Sequence, residues 1–144
     1  MTIAAAVACA TVGGVFFAFS SFVMAALRRL PSAQGIAAMQ SINVLAVTPV
    51  FMTALFGTAA LCVALAIVEP SGLVLAAAAT YVVGILGVTM AYTVPRNDAL
   101  MRLDPDAPGA PAAWERFVRE WTAANHVRTL AGIAAAALLC AELA

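Results

Sequence analysis

Lysine is absent from this sequence, histidine occurs once, and residues of either charge make up only 10% of it. Seven arginines balance seven acids, so the formal net charge is zero and nothing points to a nucleic-acid partner. Cys9, Cys62 and Cys140 stand singly in apolar runs, without a CxxC or a paired histidine. They give no disulfide framework and read as small buried hydrophobes. One histidine and no intramembrane acid give no metal-ligand set. The sequence has no nucleophile elbow, dinucleotide fingerprint or phosphate loop, and no convincing internal repeat. No positive charge precedes the first apolar run, so a cleaved signal peptide is not expected and that run reads as a retained membrane helix.

What is present is apolar. Hydrophobic residues make up 65% of the 144 positions, against about 45–50% in a soluble domain. A helix needs roughly 20 apolar residues to cross a bilayer. Residues 3–27, 44–68 and 73–94 qualify, the third ending at Pro95, which does not continue a helical ladder easily. A fourth span at 125–143 continues an amphipathic helix over 112–124, in which Glu115 with Arg119 and Arg116 with Glu120 have favourable i,i+4 order. The expected fold is one all-α domain over residues 1–144. It is an up-down transmembrane four-helix bundle whose fourth helix extends beyond the membrane. All seven arginines then fall on one side and Glu69 and Glu142 on the other. The positive-inside rule makes the arginine side cytoplasmic and both termini external, as in a bacterial cytoplasmic membrane.

The scarce polar residues gather near the arginine-bearing ends of the spans. Ser20 and Ser21 lie beside Phe19; Gln40 and Asn43 share a helical face; Thr48-Pro49 offers a kink; Tyr92, Thr93, Asn97 and Asp98 close the third span. On the fourth helix Trp114, Val118, Trp121, Asn125, Arg128 and Gly132 form one stripe, with His126 100° around from Asn125. Ionisable residues inside a membrane face a bundle interior or a wet cavity. A lone general base, amide and guanidinium donors and aromatic walls suit proton abstraction from an apolar aromatic substrate. Each residue also has a plainer role: surface anchors for Arg28 and Arg29, an interfacial belt for Trp114 and Trp121, interhelical bonds for Gln40 and Asn43.

The stretches FSSFVMAAL, MQSINVLAVTPVFM, TVPRNDAL and WERFVREWTAANHVRT resemble the anthrone-oxygenase-like family of small four-span membrane proteins. W-x6-W-x3-NHxR with an upstream VPxNxxL carries most of the likeness, which covers essentially the whole chain. The resemblance implies oxidation of an anthrone to an anthraquinone with dioxygen and no organic cofactor. It carries over Asn43, Pro49, Asn97, Trp114, Trp121, Asn125, His126 and Arg128, with Thr93 standing where asparagine is expected. In that scheme His126 is the base, while Arg128, Asn125 and Asn97 stabilise the enolate. Asn43, Asn97, Trp114 and Trp121 of that set, together with Gln40, Tyr92 and Phe19 from the cluster at the span ends, are expected to line the substrate site. The partners implied are a small apolar aromatic substrate, dioxygen and the bilayer, with self-association left open. The rival readings are a non-enzymatic membrane binding module or assembly subunit and, without an inverted repeat to support it, a transporter.

Overall fold

The computed structural model describes residues 1–144. Five helices account for nearly all of it: α1 (Thr2–Arg28), α2 (Ser32–Ala46), α3 (Pro49–Val68), α4 (Gly72–Met101) and α5 (Ala110–Ala141). All but α2 are long and apolar enough to cross a membrane. The chain is an integral membrane protein folded as a helical bundle.

Consecutive spans are antiparallel neighbours and α5 closes the ring against α1. The α1–α5 seam is the closest. A Cβ added at Gly132 would meet the Gly13 Cα at 2.6 Å, so only glycine lets the two backbones approach this far. In a bilayer, packing of this kind replaces the hydrophobic effect as the force between helices. Elsewhere along the ring, the Cys9 and Cys62 sulfurs lie 3.5 Å apart as free thiols, and the buried Tyr81 hydroxyl donates to the Leu55 carbonyl at 3.0 Å. At one end Ser71 donates to Glu142 at 2.7 Å.

The other end carries the arginines and a second apolar core. Its 32 residues make α5 about 48 Å long, more than the ~30 Å of hydrocarbon, and its first turns pack Trp114, Phe117 and Trp121 against Met24, Ile36, Met39 and Leu100. Gln40 joins α2 to α4 by donating to the Leu100 and Leu103 carbonyls, both at 2.9 Å, at the point where α4 runs out of internal donors.

Three local features depart from the sequence expectation. The second span does not begin at Val44. Thr48 is extended (φ −72°, ψ 155°) because the following Pro49 disfavours helical geometry, so α2 and α3 are separate helices meeting at an elbow. The third span does not end at Pro95: α4 continues to Met101. Wide π-helical turns at Val82–Gly87 and Thr89–Thr93 shift the hydrogen-bond register just before the proline. A third such turn, Phe19–Val23, interrupts α1. Finally, Glu115 and Arg119 form no ion pair; Glu120 is instead shared by Arg116 on its own helix (3.0 Å) and Arg96 on α4 (2.9 Å).

Candidate functional site

All six residues of the α5 stripe are buried, and the stripe brings Asn125 and Arg128 into the bundle. Asn125 has no exposed surface. Its Nδ2 donates to the Phe16 carbonyl (2.7 Å) and to Ser20 Oγ (2.8 Å), while its Oδ1 accepts from Arg128 Nη2 at 2.8 Å. Arginine offers donors only, so the amide orientation is fixed by chemistry. Ser20 Oγ also lies 3.0 Å from Thr129 Oγ1, whose hydroxyl bonds the Asn125 carbonyl. The amide is held on every side.

Arg128 is 4% exposed and no carboxylate pairs with it. Its guanidinium sits over Phe16 (4.3 Å to the ring centroid) and Trp121 (4.9 Å), an arrangement that the negative ring faces favour. Nη1 reaches Thr89 Oγ1 only at 3.4 Å, and Nε has no partner. Thr89 belongs to one π-helical turn; Phe19 and Ser20 belong to another. Such turns recur at functional sites because they re-aim side chains within a continuous helix.

Arg128 opens onto a cavity of about 380 Å³. Phe16, Phe19, Phe51 and Trp121 supply aromatic walls, and most of the remaining lining is aliphatic. Besides Arg128, its polar side chains are Asn43, Asn97 and Thr89. Asn97 Oδ1 accepts from Trp121 Nε1 at 2.9 Å, which fixes the indole edge. Asn43 Nδ2 is buried without a partner, a second unused donor at the cavity. No histidine, aspartate, glutamate, cysteine or tyrosine lines this space. Its chemistry is that of a largely apolar, aromatic-walled pocket with one cation and spare donors.

The residues singled out from sequence therefore divide. Asn43, Asn97, Trp121, Phe19 and Arg128 line one cavity, with Asn125 directly behind Arg128. His126 does not join them. One step around α5 it is exposed and lines a separate groove with Ser20, Arg28, Glu115, Arg119 and Thr122. The 100° offset that separated it from Asn125 in the helical pattern is enough to put it on the other side of the α1–α5 seam. Gln40 is turned to the end of α4, and Tyr92 is exposed with the Arg96 guanidinium 3.3 Å from its ring centroid. Trp114 packs against Gly35 and stacks on Phe117 (5.7 Å between centroids). Thr93, fully buried, bonds back to the Thr89 carbonyl at 3.0 Å within its own helix. Thr89 and Phe51 escape sequence reasoning. Nothing in an apolar run marks a register shift, and Phe51 lies beyond an elbow whose angle the sequence does not state.

The model of a protein family described as anthrone oxygenase matches residues 39–138 of the chain, from α2 to near the end of α5. Neither a curated protein nor a solved structure matches.

Proposed function

Because the chain belongs to the anthrone oxygenase family, we propose that it oxidises an anthrone-type aromatic ketone with dioxygen inside the membrane, in the Arg128 cavity. The observation that carries this reading is a buried guanidinium with no carboxylate partner, facing aromatic walls. Desolvating a cation costs several kcal/mol unless an anion accompanies it. A planar aromatic enolate fits both needs: its rings meet Phe19, Phe51 and Trp121, and its oxygen takes the free donors of Arg128 and Asn43.

The chemistry then asks little of a protein base. The benzylic C–H between the rings loses its proton to a water molecule, because donors at the ketone oxygen stabilise the enolate that forms. The electron-rich enolate gives one electron to dioxygen, and the resulting pair couples as a C–O bond. The peroxide takes up a proton and loses water as the second benzylic hydrogen leaves, giving the new carbonyl. One oxygen atom ends in the quinone and the other in water. Arg128 holds charge through every step, and Asn125 holds Arg128.

The test is oxygen uptake with an anthrone by the protein in nanodiscs, corrected for the protein-free rate. Arg128→Met should lose about 10²–10³-fold, the usual cost of one oxyanion donor. Arg128→Lys should fall between, keeping the charge without the planar fork. Uptake unchanged in Arg128→Met would remove the cavity from the chemistry. Saturable ligand binding without any uptake would make the chain a binding module.

A further inference from the structure

The groove that takes His126 is a second site. It is a space of about 410 Å³ along the α1–α5 seam and shares no residue with the Arg128 cavity. Three of its side chains are basic or imidazole (Arg28, Arg119, His126), one is acidic (Glu115) and two are hydroxyls (Ser20, Thr122). None of the charged ones is neutralised within the chain. The two ion pairs present both use Glu120, with Arg96 and Arg116. Thr122 Oγ1 is buried and has no hydrogen-bond partner. The floor, including Met24 and Val118, is apolar.

Two features identify what this groove holds. The first is its level. Arg28 ends α1, and the groove lies where the apolar length of the bundle gives way to the polar first half of α5. In a bilayer that level corresponds to the phospholipid headgroups, with Val127 and Leu130 of the same helix exposed where acyl chains would cover them. The second is the charge pattern. Two guanidiniums match a phosphodiester, which arginine binds through paired donors. A lone carboxylate beside them would oppose a purely anionic headgroup and suits a cation linked to the phosphate.

We propose that the groove binds a phospholipid whose headgroup carries a phosphodiester and a primary ammonium, as in phosphatidylethanolamine. The phosphate lies between Arg28 and Arg119, with the hydroxyl of Thr122 as a further donor. The ammonium meets Glu115. His126 borders the phosphate, which gives the one histidine of the chain a lipid partner instead of a substrate. The site deals with the membrane and is independent of the oxidation proposed for the cavity.

Native mass spectrometry of the detergent-purified protein, titrated with phosphatidylethanolamine or phosphatidylglycerol of matched chains, tests this. The wild type should retain the ethanolamine lipid about tenfold better, the scale of one charged contact. Glu115→Gln should abolish or invert that preference. Arg28→Gln with Arg119→Gln should weaken both lipids, whereas Arg29→Gln, outside the groove, should change neither. Glycerophosphoethanolamine and inorganic phosphate separate a lipid site from a free-anion site: neither should compete at the concentrations where the lipid binds. Equal retention of the two lipids by wild type and Glu115→Gln would overturn the proposal, as would a wild-type preference for phosphatidylglycerol or displacement by inorganic phosphate. Should the double arginine variant not fold, judged by its thermal melt, the Glu115→Gln comparison still decides.

Discussion

Arg128 is an expensive residue where it stands. Its contacts with Asn125 and two aromatic rings offset only part of the desolvation cost. A cation–π contact contributes about 0.5–2 kcal/mol, against several for burying the charge. Asn43 repeats the pattern on a smaller scale, since its buried amide nitrogen donates to nothing. A buried donor without a partner weakens the fold and is satisfied only when a ligand supplies the acceptor. Asn43→Leu should therefore melt no lower than the wild type, while binding of an aromatic enolate or phenolate falls about tenfold, a loss of ~1.4 kcal/mol. A lowered melting temperature with unchanged binding would assign Asn43 to the fold instead. At this scale the sequence was legible along α5, where the four-and-three spacing picked out six residues that are all buried. It was less so for His126. Being ionisable and inside an apolar stretch says that a residue has a partner, but the side of the helix says which.

Among the elements, the α1–α5 seam sets the geometry of the cavity. Gly13 and Gly132 bring the backbones together, and Asn125 reaches the Phe16 carbonyl two turns further on. Gly132→Ala should cost about 1–3 kcal/mol by overpacking, because its Cβ would meet backbone that cannot turn away. Gly14→Ala is the matched control: it has open space around its Cβ position and should be near neutral. Melting of both variants in one detergent checks the pair; equal shifts would mean that the seam is not tight. The helices themselves were readable from apolar length. Their irregularities were less so. Thr48-Pro49 announced a kink but not a full break, and Pro95 suggested an end that α4 passes through. A proline removes a donor wherever it stands, yet what the chain does about it depends on the neighbouring helices, and here a π-helical turn precedes it.

For the molecule as a whole, the arginines give an expectation of how it sits in a membrane. Six of them lie at or beside the ends of α1 and α4 and the start of α5, and Arg128 lies further into the bundle, while Glu69 and Glu142 occupy the opposite end, where Ser71 ties two chain segments together. Insertion should keep the arginine-bearing loops in the cytoplasm and both termini outside, with Arg128 held within the bundle. A C-terminal fluorescent reporter that matures only in the cytoplasm should stay dark, and a periplasm-dependent phosphatase fused there should be active; the reverse pair of signals would invert the protein. That the basic loops share one end of the bundle followed from residue order, because an even number of crossings leaves them together. The cavity did not, because it needs the elbow between α2 and α3. Leu45 and Val47 border the cavity beside that elbow and are 64% and 67% exposed, so its rim is apolar. In a bilayer such a rim should face acyl chains, and the anthrone proposed as substrate should reach it by partitioning rather than from bulk solution. The concentration that governs turnover is then a mole fraction in the membrane. Adding empty lipid at fixed total substrate should slow a subsaturated reaction in proportion to the dilution, although the total concentrations of protein and substrate are unchanged. Rates indifferent to the added lipid would mean that the substrate arrives through water.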